Sequence, residues 1–409
     1  MLDQGGVALR VLHTADWHLG RSLEGRSRLE EQAAVLDEIC GIAEEEAVDL
    51  VLIAGDVYDS VNPPAAAEEL CYATLERLAA GGRRAVVAIA GNHDSPERLC
   101  AARPLAGGHG IALVGLPGET APAGRGITAG PGWLEVKVEG CAEAAIVAVL
   151  PYPSEARLGR ALQDTLDEAV LQEAYSDQVR LLLDRAAGRF RLDGVRLVVG
   201  HVYAAGGVAS ESERPIQVGG AYTVAAGAFP AAAQYVALGH LHRPQVIAGP
   251  VPIRYSGTPL AYSFSEAGQA KGVVLLEVLP GQAAAVRERP LRRGRPLVLW
   301  RADAGIPQVR QWVEQRRDPG AWIDLELHVA EPLSAADLQV LRRLPVDLVH
   351  IRPVLPAGDL PAAEARRGLP VQELFRLFYR SSTGGDPPPA VAALFAELVA
   401  EAPGEVEPA

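Results

Sequence analysis

Five short motifs in this chain carry side chains that can bind metal ions, and each follows a short apolar run. HTADWH supplies Asp16 and His18, GDVYD supplies Asp56, and GNHD supplies Asn92, His93 and Asp94. A later GH supplies His201, and GHLH supplies His240 and His242. In four of the five, glycine immediately precedes the polar residue, where it lets the backbone turn sharply and keeps a site open to ligand. Asp16, His18, Asp56, Asn92, His201, His240 and His242 make a mixed carboxylate–imidazole set, which suits manganese, iron or zinc better than calcium or magnesium. Seven donors are too many for one tetrahedral ion. They suffice for two ions if one carboxylate bridges, and ion pairs ~3.5–4 Å apart are the usual apparatus of phosphoester hydrolysis. The other histidines have ordinary readings. His109 lies in a glycine-rich loop, His328 and His350 fall on strands of a later unit, and His13 supports the end of the first strand.

The elements that must position these motifs alternate between apolar strands and amphipathic helices. Strands are expected at Val7–Leu12, Asp49–Gly55, Ala85–Gly91, Ala144–Leu150, Val195–Gly200, Gln234–Gly239 and Lys271–Val278. Helices are expected at Arg28–Glu46, with Ala33, Leu36, Ile39, Cys40 and Ala43 on one face, and at 65–80 after Pro63 and Pro64. This is the pattern of an α/β domain whose sheet faces are covered by helices, with its motifs at the carboxyl ends of strands, where open sheets build sites. We assign residues 1–296 to this domain. A small α+β unit follows at 297–355, then a Pro/Ala/Gly-rich linker at 356–370. The tail, 371–409, carries two short amphipathic helices. Val371, Leu374, Phe375 and Phe378 share one helical face, and Val391, Leu394, Phe395 and Leu398 share another.

Composition excludes several classes. At 409 residues the chain is long enough for two or three domains, and with 49% hydrophobic and 22% charged residues it is globular rather than disordered. No apolar run approaches the ~18 residues needed to span a bilayer. No basic, apolar leader opens the sequence, so a cytoplasmic protein with no membrane contact is expected. Cys40, Cys71, Cys100 and Cys141 form no C-x-x-C pair and read as reduced, mostly buried thiols. Lys137 and Lys271 are the only lysines against 36 arginines, and neither sits in the G-K-[ST] that a phosphate-binding ATPase loop requires. The net charge of −13 argues against a protein that grips nucleic acid by bulk electrostatics alone. It leaves room for a nucleic-acid enzyme whose local positive charge comes from bound metal or from a partner.

The motif order D-x-H, G-D, G-N-H-D, G-H, G-H-x-H resembles the calcineurin-like metallophosphoesterase superfamily over roughly residues 10–245. A closer resemblance is to the SbcD family of nuclease subunits. HTADWHLG, GDVYDSVNPP, SESERPIQVGG (Ser210 to Gly220), YVALGHLHRPQ and YSGTPLAYSFSEAGQAKGVVLLEV carry it to about residue 280, and more loosely to the end. Ala15 departs from the serine common in that family, at a position that is not a ligand. The resemblance implies a metallophosphoesterase β-sandwich flanked by helices, a small α+β capping domain and a C-terminal helical tail. It implies that Asp16, His18 and His242 hold one ion, that Asn92, His201 and His240 hold the other, and that Asp56 bridges them, with manganese as the metal. It also implies that His93 faces the scissile phosphate. A protonated imidazole there can protonate the leaving oxygen, and Asp94 beside it can orient that ring and favour its charged form.

The function implied is that of a metal-dependent DNA nuclease, acting 3′→5′ on duplex ends and as an endonuclease on hairpins. Its partner would be an SbcC-type coiled-coil ATPase, and the chain would dimerise within a heterotetramer. Arg243, directly after His242, is a candidate phosphate contact. The tail helices are candidates for docking on the partner. The alternatives are a small-molecule phosphodiesterase or protein phosphatase with the same core, and a non-catalytic scaffold that kept the fold. The extra unit and the apolar tail disfavour the first alternative, and the complete ligand set disfavours the second.

Overall fold

The computed structural model describes residues 8–137, 144–154, 157, 168–213, 222–355, 369–383 and 385–401. Cys141, most of the expected linker and the last residues of the SESERPIQVGG segment lie outside them. The chain divides into two units, Met1–Gly294 and Arg295–Ala409.

The first unit is built on two sheets. One has six strands in the order Ala285–Pro290, Gly272–Val278, Leu9–Thr14, Leu50–Ile53, Ala85–Ile89, Ile111–Val114. Its last four are parallel, and Leu9–Thr14 pairs antiparallel with Gly272–Val278. The other has seven strands in the order Gln245–Ile247, Ile253–Tyr255, Tyr235–Gly239, Val195–His201, Ala145–Leu150, Trp133–Val136, Ile127–Gly130. Each central strand is apolar on both faces because each is covered twice. Val11, Leu50, Leu52, Val87 and Ile89 of the first sheet share one buried cluster with Val147, Val149, Leu197, Val199 and Ala237 of the second. The alternate residues of the first sheet, such as Leu12, Val51 and Val86, pack under helices Leu29–Glu45 and Ala65–Ala79. Those of the second, such as Ala148, Val198 and Val236, pack under helix Glu168–Ala187 through Tyr175, Val179 and Leu183. The result is a β-sandwich between helical layers.

Several elements go beyond the sequence reading. Helix Glu168–Ala187 and the short strands Ile127–Gly130, Trp133–Val136, Gln245–Ile247, Ile253–Tyr255 and Ala285–Pro290 were not foreseen. The first strand runs from Leu9 to Thr14, ending two residues later than the hydrophobic run suggests, because buried His13 and Thr14 continue it.

The second unit has a parallel sheet, Leu297–Ala302, Trp322–His328 and Asp347–Val354, with helices Gly305–Glu314 and Ala335–Arg342. Trp300, Ile323, Leu325, Leu327 and Leu341 form its core. Ser334 opens the second of these helices with a reciprocal capping box to Asp337. Two further helices, Val371–Thr383 and Pro389–Glu401, meet through Phe375 and Phe395, whose rings stack with centroids 3.9 Å apart. Val371, Leu374, Phe378, Leu394 and Leu398 remain exposed. Among the described residues no helix is long and apolar enough to cross a membrane.

Candidate metal centre

The loops that leave the carboxyl ends of both sheets meet at one place. Asp16, His18, Asp56, Asn92, His93 and Asp94 come from the first sheet, and His201, His240 and His242 come from the second. The two sheets can close here because the chain carries glycine at the contact points. A side-chain carbon on Gly239 would lie 1.9 Å from the carbonyl oxygen of Ala54, and one on Gly55 would lie 2.3 Å from Nδ1 of His201. Backbone strain is concentrated at the same spot. Asp16, His18, Asp56 and His240 all have positive φ, between 47° and 109°, a conformation costly for residues with a side chain and characteristic of functional sites.

The donors fall into two groups. Asp16, His18 and His242 bring ligand atoms within 4.8 Å of one another, and so do Asp16, Asp56 and His201. The Nε2 atoms of His18 and His242 face each other at 3.0 Å. On the other side, Oδ1 of Asn92 lies 2.9 Å from Nε2 of His201 and 2.9 Å from Nδ1 of His240. Oδ2 of Asp56 stands between the groups, 3.8 Å from His18 Nε2 and 3.5 Å from His201 Nε2. All seven expected ligands are therefore brought together, and six of them are buried.

This donor set calls for a cation. Burial, and the nearby Asp56 carboxylate, push the Asp16 carboxyl well above its usual range. Burial works against the charge of Asp56 too, yet the imidazoles of His201, His18 and His93 hold it well below that range. Burial and the neighbouring His201 push His240 down to about 3. Burial, His18 and Arg21 hold His242 well below the ordinary histidine value. His240 and His242 are thus neutral, the form that ligates a metal. His201 is the exception: burial opposes its charge, but Asp56 and Asp16 raise it to about 9. Its Nδ1 is tied to the carbonyl of Ala54 at 2.8 Å, which leaves Nε2 turned inward. Residues of this kind fit two divalent ions sharing Asp56, and divalent-metal binding agrees with the geometry and with the neutral His240 and His242.

The remaining predicted residues are placed as follows. His93 is buried beside Asp56, with Nε2 3.9 Å from Oδ2, and its Nδ1 lies 2.8 Å from the carbonyl oxygen of Asp59. Asp94 does different work from the ring orientation expected of it. Its carboxylate accepts the backbone N–H groups of Gly91, Val57 and Tyr58, at 2.8, 3.2 and 2.9 Å, and so pins the Asn92–His93 loop to the Asp56 loop. Both its oxygens face backbone donors because the loop doubles back on itself. Burial, with Asp56 nearby, raises its carboxyl to about 6. His13 is buried between the Tyr235 hydroxyl at 3.0 Å and the Leu238 carbonyl at 3.1 Å, as a strand-end support. Arg243 is exposed beside the site.

Several residues around these ligands carry no assigned role in the sequence reading. Asp59 lies 3.5 Å from the buried Nδ1 of His18 and 3.8 Å from Nδ1 of His93, and Arg21 stands 3.6 Å from it. Glu213 accepts the backbone N–H of His242 at 2.8 Å. Buried Lys271 donates to the carbonyl of His242 at 3.0 Å and to Thr258 at 2.9 Å, and it pairs with buried Glu266. Asp59 left a trace in the sequence as the second acid of GDVYD, and Glu213, Glu266 and Lys271 lie in segments that carry the family resemblance without a role being readable for them.

Comparison with known proteins places this geometry. A model of the calcineurin-like phosphoesterase family matches residues 9–121. The chain is 47% identical, over 95% of its length and 97% of the relative's, to a Bacillus subtilis (strain 168) protein named as the SbcD component of the SbcCD nuclease. It is 33% identical, over 90% of its length and 92% of the relative's, to the protein of that name from Rhodobacter capsulatus. Against the one from Escherichia coli (strain K12) it is 30% identical, over 84% of its length and 85% of the relative's.

Proposed function

The chain belongs to the SbcD family of nuclease subunits, and from that premise we propose that it cuts DNA as the catalytic subunit of an SbcCD-type repair complex. It is a metal-dependent hydrolase of the calcineurin-like phosphoesterase class. The reading in detail is 3′→5′ exonuclease action on duplex ends and endonuclease action on hairpins, with manganese as the metal, in the cytoplasm. The observation that carries it is the pair of donor groups meeting at Asp56. Asp16, His18 and His242 would hold one ion and Asn92, His201 and His240 would hold the other. When bound, the two cations supply a water of lowered pKa and neutralise the phosphate oxygens.

The protein's own groups do the rest. Asp56 keeps the two positions at a fixed separation. Asp94 locks the loop that presents Asn92 and His93. His93 donates a proton to the leaving oxygen, a role worth roughly 10²–10⁴-fold. Arg243 contacts a substrate phosphate from the exposed rim. With a net charge of −13, the chain leaves much of the DNA grip, and all ATP chemistry, to an SbcC-type coiled-coil ATPase. The exposed apolar side chains of the two C-terminal helices dock on that partner. A second copy completes a heterotetramer.

The test is digestion of a labelled hairpin duplex with and without manganese, and with and without the ATPase subunit. Cleavage that needs manganese and changes pattern with the partner supports the reading. Equal or faster hydrolysis of a small diester such as bis(p-nitrophenyl) phosphate, with intact DNA, would instead favour a small-molecule phosphodiesterase.

A further inference from the structure

Two of the inward-facing imidazoles are held in different ways. A neutral imidazole carries its proton on one nitrogen or the other, and only the bare nitrogen can ligate a metal. For His201 a backbone carbonyl decides: the Ala54 oxygen accepts only, so Nδ1 keeps its proton and Nε2 is the nitrogen left for a metal. For His242 the decision rests on side chains that lie 29 and more residues upstream. Its Nδ1 meets Oγ of Ser212, which is itself buried. Oγ of Ser212 is 3.2 Å from Oγ of Ser210. The Ser210 hydroxyl is 2.8 Å from Oε2 of Glu213 and donates to it.

A hydroxyl can donate or accept, but a carboxylate only accepts. The chain therefore has one direction. Ser210 gives its proton to Glu213, Ser212 gives its proton to Ser210, and Ser212 is left to accept from His242. We propose that Ser210, Ser212 and Glu213 form a hydrogen-bond relay that fixes the proton of His242 on Nδ1 and so sets the affinity of one of the two metal positions. Nε2 is then bare and faces Nε2 of His18 at 3.0 Å. The relay is anchored at both ends. Oε1 of Glu213 takes the backbone N–H of His242 at 2.8 Å, and Arg21 holds the carbonyl of Ser212 at 2.8 Å. Ser210, Ser212 and Glu213 are positioning residues, acting through His242.

This inference rests on the two-ion reading, and its test separates the two. Full-length protein labelled with ¹⁵N-histidine is examined metal-free for the ring-nitrogen signature of His242, and manganese is then titrated by electron paramagnetic resonance. The wild type should show the Nδ1–H tautomer and bind two ions. Ser212→Ala should populate the other tautomer and weaken one ion by about 10–100-fold, the usual cost of removing a ligand's outer partner, while the second ion binds as before. Ser212→Thr keeps the hydroxyl and should restore both readouts. Glu213→Gln gives the chain an end that can also donate, and should mix the tautomers. A Ser212→Ala protein with an unchanged tautomer and two unchanged affinities would overturn the relay. A wild type that binds one ion would overturn the two-ion reading, and the tautomer readout would still decide the relay.

Discussion

Gly91 is a sharp test of how the bridge is built. It is not a ligand, yet a methyl group on it would sit 2.0 Å from Oδ1 of Asp56 and 2.3 Å from the Asp56 backbone nitrogen. Ordinary contact begins at 3.4 Å, so Gly91→Ala requires the methyl and the carboxylate to part by about 1.4 Å. Neither side has room. Asp56 is buried, and its loop is tied to Gly91 itself through Asp94. Overpacking of this sort costs about 1–3 kcal/mol of stability, which leaves most proteins folded. The effect on activity should be larger, since a 1 Å misplacement of reacting groups costs about 10²-fold. The assay is manganese-dependent hydrolysis of bis(p-nitrophenyl) phosphate alongside elemental analysis. We expect a folded protein with at least a 10²-fold loss in kcat/KM and less than two ions per chain. Gly41→Ala is the control. Gly41 lies in helix Leu29–Glu45 with nothing within 4 Å of the new carbon. That change should stabilise by roughly 1 kcal/mol and leave activity alone. A Gly91→Ala enzyme with wild-type turnover and two ions would refute the packing argument.

Other expectations follow from the same geometry. Asp56→Ala removes the anion shared by both positions and should abolish activity together with at least one ion, measured as metal per chain. His93→Ala should keep its metals and its DNA affinity while turnover falls roughly 10²–10⁴-fold; loss of an ion would move His93 into the ligand set. His13 makes the metal-free protein acid-sensitive. Burial depresses its pKa from 6.5 to about 3, so within that window the unfolded chain binds a proton that the folded one does not. Stability is therefore lost as pH falls from about 6.5 toward 3, and His13→Gln should flatten the melting temperature against pH over that range. A truncation ending near Gly368 should remain an active nuclease but fail to co-elute with an SbcC-type ATPase.

The clustering of the candidate ligands was largely readable from the sequence because they sit in short motifs locked to strand ends. Asp56, Asn92 and His201 each follow a glycine that ends a buried run, and that local signal survives without any knowledge of the fold. What surrounds the ligands was not readable. Ser212 and Glu213 touch His242 across a gap of about thirty residues, and Lys271 reaches it from the other direction, so no local pattern joins them. Adjacency in sequence puts Asp94 beside His93, but its bonds to the backbone N–H groups of Gly91, Val57 and Tyr58 come from the way the loop folds and leave no local pattern. Helix Glu168–Ala187 did carry a signal, with Tyr175, Val179, Leu183 and Ala186 at helical spacing. It was overlooked among alanines and charges. The short strands around Gly130 and Gly249 are held by pairing with longer neighbours rather than by their own hydrophobicity.

The strand ends that supply Asp16, Asp56 and Asn92 belong to one sheet, and those that supply His201, His240 and His242 belong to the other. Ions bound between them would act as rivets through the sandwich. The first and last of these donors are 226 positions apart in the chain. A ribosome must therefore release more than half of the protein before either metal position can exist. Until then the early motifs are a pair of aspartates and a few imidazoles with no geometry to prefer one ion over another. Metal selection is postponed to the moment the sheets dock, and the choice of ion is made by a finished protein drawing on whatever its surroundings then offer.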